Sequence, residues 1–396
     1  MLTSLALILL VGLLLGRLSR ALCLPSLIGM ILTGVLLGPY MLNVLDETTL
    51  FISSDLRQMA LVIILFRAGL SLSLKDLKRV GLPAFLMSFL PASFEILGTL
   101  LLAPLLFGLS IVDAALLGTV IAAVSPAIVV PSMLSVMDKG YGQDKKVPQL
   151  VLAGASLDDV FVIVLFTSFL SLASGQSMTL SPLTSLPISI LMGLLIGWST
   201  GWGIQFLFRS FHMRDTVKII ILLCLSFLLL ELESLLTGIL PISGLLSIMA
   251  MGLTLNHFYK ELAERLSNKY NKLWLGAQVL LFVLVGASVN VSYALEAGFA
   301  VVLLIGIGLA FRMMGVFLSL TPSSLNQKEK LFVGFSYTPK ATVQAAIGGV
   351  PLAMGIASGD LILTIAVVAI LLTAPIGAFL IEKTYQQLLS APLHDE

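Results

Sequence analysis

The stretch VDAALLGTVIAAVSPAIVVPSMLSV at positions 112–136 is apolar over a length that could cross a membrane, yet it carries Ser125-Pro126 near its middle and Pro131 shortly after. A proline removes one backbone donor and its ring clashes with the preceding turn, so a helix of this composition is expected to break there. Hydrocarbon offers no water to the freed peptide groups, and such a break is tolerated only where protein or a cavity takes them up. A second stretch, KLFVGFSYTPKATVQAAIGGV at 330–350, repeats the pattern with Thr338-Pro339-Lys340 followed by Gly348-Gly349. Pro126, Pro131 and Pro339 are therefore the expected points of interruption.

The rest of the chain fits a membrane setting. Of its 396 residues 58% are hydrophobic and 11% charged, with mean hydropathy +1.08, which leaves too little polar surface for a water-soluble globule. A span needs roughly 20 mostly apolar residues. Hydropathy read against charged and Pro/Gly breaks places about thirteen spans, near 2–16, 24–40, 57–73, 80–105, 112–136, 148–171, 183–208, 216–233, 235–255, 271–290, 296–320, 330–350 and 360–382. The first run reads as a retained helix, having no small-residue cleavage site after it. Lysine and arginine, from Arg17 and Arg20 through Lys139, Lys145, Arg209 and Arg265 to Lys328, fall in odd-numbered loops; even-numbered loops hold only Arg57, at a span edge. By the positive-inside rule the N-terminus lies outside and the C-terminus in the cytoplasm, and the cell (plasma) membrane is the expected location. The two interrupted spans stand seven apart, so they enter from opposite sides. This is the pattern of an inverted repeat of spans 1–6 and 8–13 with span 7 as connector, and a pair of interrupted helices in corresponding positions points to a transport site at the midplane.

Several classes of function are excluded. A formal charge of +1 gives no case for nucleic acid, and no Gly-rich phosphate loop is present for a nucleotide. Cys23 and Cys224 lack metal-ligand spacing and are expected to be buried, inert thiols; His212, His257 and His394 fall in loops or the tail. No transition metal, cofactor or enzymatic activity is expected. Gly197 to Gly203 read as a helix-packing surface in the connector span. Glu231 and Glu233 are expected at an exposed outer span end.

Six charges remain inside the spans: Arg67, Glu95, Asp158, Asp159, Arg312 and Lys340. Each costs about 2.5–3.5 kcal/mol at the bilayer centre and needs a partner or a function. Arg67 is close enough to Lys75 to snorkel to the interface. Counted at 1.5 Å per residue, Asp158, Asp159 and Lys340 reach the midplane. Adjacent helical residues point about 100° apart, so one aspartate can face an ion while the other faces a basic group such as Lys340. Carboxylate oxygens suit hard cations, and a carboxyl in a low dielectric also binds protons more readily, so proton and cation can compete for one site. Glu95 and Arg312 occupy matching places in the two halves and are expected to pair, although counting leaves them roughly 8–10 Å apart in depth.

Val124-Ser-Pro-Ala-Ile-Val-Val-Pro-Ser-Met133, Ala155-Ser-Leu-Asp-Asp159, Pro339-Lys-Ala-Thr-Val-Gln-Ala345 and Ile64-Leu-Phe-Arg-Ala-Gly-Leu70 together resemble the monovalent cation:proton antiporter superfamily, most of all the NHA branch of sodium/proton exchangers. The resemblance covers essentially the whole chain. It implies an all-α membrane fold with two crossed broken helices and exchange of Na⁺ or Li⁺ for H⁺ by an elevator-type movement, without a cofactor. It also implies a homodimer in the lipid bilayer, with scaffold helices in 1–79 and 216–295, core transport helices in 80–171 and 296–396, and a connector in 172–215. The second acid of the family's pair, its indispensable ligand, matches Asp159. Asp158 matches a position that is Asp in many electrogenic members and Asn in many electroneutral ones. Thr119, Ser125 and Ser156 are implied as further oxygen ligands. Two departures stand out: Val124-Ser125-Pro126 replaces the Thr-Asp-Pro of many relatives, and Arg312 stands where electrogenic bacterial relatives place a lysine. Arginine does not release a proton at physiological pH. Potassium/proton exchange, a channel or sensor on the same fold, and a sodium-coupled organic anion symporter are the competing readings.

Overall fold

The computed structural model describes residues 1–22, 24–71, 74–174, 182–211, 213–236, 240, 242–289 and 298–391. Among these, all regular structure is helical. Among the described residues nine helical stretches are long and apolar enough to cross a membrane, Ile111–Asp138 counting as one across its break, and Ser26–Leu37, Gly244–Phe258 and Thr342–Ala353 are shorter apolar pieces. The expected count of about thirteen is thus not matched one for one. The second interrupted span comes apart into shorter pieces, and the span expected at 271–290 belongs to a helix that starts at Lys260. Its first turns are rich in Lys, Glu, Leu and Arg, good helix formers that carry the helix through a polar segment.

Two compact units make up the chain, one of Met1–Ser54, Asp76–Val162 and Phe282–Glu396, the other of Asp55–Lys75 and Ile163–Leu281. The second unit holds α10 (Pro182–Ser210), α11 (Asp215–Leu236), α12 (Gly244–Phe258) and the greater part of α4 (Ser53–Ser71) and α13 (Lys260–Ala287). α10 packs on α12 through the expected glycine face: a methyl on Gly197 would overlap the Ser247 carbonyl, and one on Gly201 would come within 2.7 Å of Thr254. Gly203 faces open space and takes no part. Three other expectations are corrected here. Cys224 is exposed on α11 rather than buried, His257 lies in the last turn of α12, and Glu233 is half-buried and accepts the Gly244 N–H at 3.0 Å, one of the donors that the start of α12 leaves unpaired. Cys23, His212 and His394 lie outside the described residues.

The first unit begins with α1 (Leu2–Ala21) and α2 (Ser26–Leu37), which meet where a methyl on Gly29 would overlap the Leu15 carbonyl. The short α3 (Glu47–Phe51) and α5 (Leu74–Met87), kinked at Gly81, precede the helices that matter for the site. These are α6 (Leu90–Phe107), α7 (Ile111–Ala122), α8 (Pro126–Asp138), α9 (Val147–Ala173), α14 (Gly298–Ser319), α15 (Gln327–Ser336), α16 (Thr342–Ile347), α17 (Val350–Ala353) and α18 (Gly359–Leu388). A dry cluster including Met87, Met133, Val151, Phe332, Tyr337 and Tyr385 fills the space on the α8–α9 loop side. That loop is tied on both flanks. Lys145 pairs with Glu329 at 2.9 Å, the same Glu329 that closes the capping box of Asn326 at the start of α15. Gly142 donates to the Ser390 carbonyl at 3.0 Å, and the Tyr141 and Tyr385 rings stack edge-on at 5.0 Å. The Ser390 hydroxyl donates to Asp144 and holds that carboxyl below the usual carboxylate range.

Candidate functional site

Both expected breaks are present, and they form for local reasons. α7 ends at Ala122, and Ala123 and Ser125 take extended dihedrals before Pro126 opens α8 as its first residue. The proline ring disfavours a helical residue before it and fits the first helical position after it. Pro131 does not break the chain: it lies inside α8, which continues to Asp138. α15 ends at Ser336, and α16 resumes only at Thr342, with Pro339 in the gap. The two gaps touch directly, the Ser125 N–H donating to the Pro339 carbonyl at 2.8 Å.

A half-helix ending in the membrane exposes carbonyls and the negative end of its dipole. At α7 three carbonyls in a row are met by side chains. Lys340 Nζ donates to Ile121, Arg312 Nη1 to Ala122, and Gln344 Nε2 to Ala123 at 2.7 Å. On the other side of the gap the Val124 N–H donates to Asp158 Oδ2 at 2.9 Å. The two cations thus meet the negative end of α7, while the acid at the gap is Asp158, supplied from α9.

Four charged side chains close into one network, each at most 1% exposed. Arg312 donates from Nη1 to Glu95 at 2.9 Å and from Nη2 to Asp158 at 2.9 Å, and its Nε holds the Tyr337 carbonyl at 2.7 Å. Lys340 lies 2.7 Å from Glu95 Oε1, and its own N–H is held by Thr373 Oγ1 at 3.0 Å. The expected Glu95–Arg312 pair is therefore present despite the offset in depth, which the two long side chains span. The basic group facing Asp158 is Arg312, not Lys340: Lys340 leaves the second gap beside Ile121 and reaches Glu95 instead. A methyl on Gly308, one turn before Arg312 on α14, would stand 3.6 Å from the Glu95 side chain, an ordinary contact, so α14 passes close to Glu95 here.

Two acids and two bases balance in that network. Asp159, 8% exposed, stands outside it. Among the described residues no cation lies within ion-pair distance of it. Its Oδ1, Asp158 Oδ1, Ser125 Oγ, Thr342 Oγ1 and Gln344 Oε1 are buried with no hydrogen-bond partner. Buried oxygens are ordinarily satisfied, and several unsatisfied ones at the junction of two helix breaks have the hard-oxygen chemistry that a small cation takes. Thr119 is fully buried on α7 and its hydroxyl donates to the Leu116 carbonyl at 2.7 Å, leaving its oxygen as an acceptor only. The side chain of Ser156 lies outside the described residues. Gln344, Thr342, Tyr337 and Thr373 are not among the residues expected from the sequence; a polar amide inside the apolar run 330–350 is the signal that marks Gln344.

A family model described as sodium/hydrogen exchanger, transmembrane, matches residues 5–384. The chain is 36% identical over 389 residues to sodium/hydrogen exchanger 9B2 of Homo sapiens, covering 94% of this chain and 71% of that protein. It is 31% identical over 382 residues to sodium/hydrogen exchanger 9B1 of Homo sapiens, covering 90% and 71%. The solved structure of the sodium proton antiporter MjNhaP1 from Methanocaldococcus jannaschii at pH 8 superimposes with a TM-score of 0.83 at 21% identity, covering 98% of this chain and 99% of that one, a likeness of fold.

Proposed function

The chain belongs to the sodium/hydrogen exchanger family of transmembrane cation:proton antiporters, and from that premise we propose that it exchanges Na⁺ or Li⁺ for H⁺ one for one, with Asp159 as the group that carries either. The carrying observation is the charge arrangement. Glu95, Asp158, Arg312 and Lys340 cancel within their own contacts, so one acid, Asp159, is left with a single negative charge to be neutralised. One proton or one monovalent cation does this equally well. Crossing a low dielectric with neither is costly, which suppresses leak. Lys340 is held by Glu95 and the Ile121 carbonyl and is a fixed counter-charge in this reading, as Arg312 is.

Asp158 lends Oδ1 as a second oxygen, and Ser125, Thr119 and Ser156 are the further ligands. Every residue of the charge network and both breaks fall in 80–171 and 296–396, which supports treating these segments as the moving core of an elevator. Segments 1–79 and 216–295 then form the scaffold of a homodimer, and 172–215 the connector. The lysine and arginine pattern supports a C-terminus in the cytoplasm, and the cell (plasma) membrane is the proposed location.

The test uses purified protein in liposomes, with internal pH followed on addition of Na⁺, Li⁺ or K⁺. Proton efflux driven by Na⁺ or Li⁺ and lost in Asp159→Asn, with the variant still folded, is the expected result. Exchange driven by K⁺ alone would reassign the cation, flux indifferent to a pH gradient would indicate a channel, and near-normal exchange in Asp159→Asn would remove Asp159 from its role.

A further inference from the structure

The peptide unit joining Ala123 to Val124 is gripped from both sides. Its N–H donates to Asp158 at 2.9 Å and its carbonyl accepts from Gln344 Nε2 at 2.7 Å. The same Nε2 also stands 3.5 Å from the Ile121 carbonyl. Two carbonyls facing one end of the amide fix its orientation, since the flipped amide would set oxygen against oxygen. The other end, Oε1, is buried and has no partner. An unfilled buried acceptor is unfavourable, so burial of an amide here is explained by its donor half.

The neighbouring carbonyls of Ile121 and Ala122 are held by Lys340 and Arg312, each of which is matched by an acid. Gln344 is the neutral member of the three. A cation in its place would upset the balance that leaves Asp159 as the single surplus charge, while an apolar residue would release the Ala123 carbonyl. Because residues 123–125 have no helix to hold them, the direction of the Val124 N–H depends on what grips that peptide from its other side. Hydrogen bonds in a chain also polarise one another, so a donor on the carbonyl strengthens the N–H that faces the carboxylate.

We propose that Gln344 is a positioning residue for the ion site: by holding the Ala123 carbonyl it aims and strengthens the Val124 N–H on Asp158, and so sets how firmly Asp158 presents its free oxygen to the cation. This deepens the reading of Asp158 and Asp159 as the exchange site and rests on it for its transport readout.

The test is Gln344→Met, which keeps volume and removes the donor, alone and combined with Asp158→Asn, with Gln344→His as the variant that keeps a ring N–H. Should Gln344→Met fail to fold, Gln344→Asn, whose amide is one carbon too short, replaces it. Thermal stability in detergent of the four proteins of the cycle, which needs no transport, is expected to be non-additive, the Gln344 change costing less once Asp158 has lost its charge. In liposomes, Gln344→Met is expected to raise the apparent KM for the coupling cation roughly tenfold, as for loss of one bond to a charged group, with the maximal rate within about twofold of wild type, and Gln344→His is expected to recover part of it. Additive stability losses, or a lowered maximal rate at unchanged KM, would overturn the proposal. A wild-type protein that exchanges nothing would overturn the transport reading alone, because the stability cycle would still report the link.

Discussion

At the break that ends α7, residues 121–124 contribute backbone: three carbonyls and one N–H, each taken by a side chain from elsewhere. At the break that ends α15, the chain contributes side chains as well: Lys340 and, one turn further, Gln344, while the Tyr337 and Pro339 carbonyls are taken by Arg312 and Ser125. One gap contains Pro339, the other is closed by Pro126 at the start of α8, and both lie in apolar runs. The difference shows that a helix break in a membrane is stable only with a complement, and that here the second break and Arg312 are the complement of the first. Of the two aspartates on α9, Asp158 is held by the first break and Arg312, and Asp159 is the one that the proposed function leaves to titrate or bind.

That division is broken most severely at Arg312. Arg312→Met strands Asp158, halves the cation support of Glu95 and releases the Ala122 and Tyr337 carbonyls. The expected cost is about 3–5 kcal/mol, seen as a large fall in detergent thermal stability or as failure to fold. Exchanging Glu95 and Arg312 is not expected to recover it, since a glutamate at 312 would face Asp158 and two carbonyls. Recovery in the double exchange would show that the pair acts alone and the network is dispensable.

Lys340→Met sharpens the comparison from the other break. Glu95 keeps Arg312 as a partner, so the loss is expected to be smaller, about 2–3 kcal/mol from the weakened carboxylate contact and the bared Ile121 carbonyl. A cost equal to that of Arg312→Met would mean that the two cations are not unequal in their duties. Next in size is Gly154→Ala, on α9 one turn before Asp158. The new methyl would overlap the Tyr337 hydroxyl and stand 2.9 Å from Met87 Cβ. Overpacking of this kind costs about 1–3 kcal/mol, and because the Tyr337 ring lies beside the Arg312 guanidinium at 5.4 Å, exchange is expected to slow as well. Unchanged stability would show that the second break yields where this account holds it rigid.

The gaps themselves were legible because proline in an apolar run has one physical meaning, and buried charges are rare enough to be counted. What the sequence could not supply was which charge meets which. One aspartate of the pair is expected to face a base such as Lys340; the one that does is Asp158, and its base is Arg312, because pairing depends on the crossing of two gaps whose residues are far apart in the chain. Depth counted along straight helices also separated Glu95 from Arg312 by more than their side chains must span. Pro131 was read as a breaking point because the same residue type sits at Pro126; a proline within a helix and a proline opening one look alike in sequence. Gln344, being uncharged, was passed over.

The smallest effect is expected far from both breaks. Ser390→Ala removes the hydroxyl that holds Asp144 down. A carboxyl depressed in the folded chain contributes stability above its unfolded value near 3.8, and this contribution is lost as pH falls through the folded value. Asp144 is exposed, so water screens the gain to at most about 0.5 kcal/mol. The difference in thermal stability between variant and wild type should be small at pH 7 and disappear once the pH falls below the folded value. A large loss at pH 7 would show that the clamp on the α8–α9 loop bears on the site after all.

The central claim is that the charges of the two breaks cancel and leave one carrier. It is tested by cation-driven proton flux in liposomes with the membrane potential clamped at several values. One-for-one exchange on Asp159 predicts a rate that does not change with potential and no current on a solid-supported membrane. A rate that follows the potential would mean that more than one proton moves per cation, and that Lys340 or Asp158 titrates where this account holds them fixed.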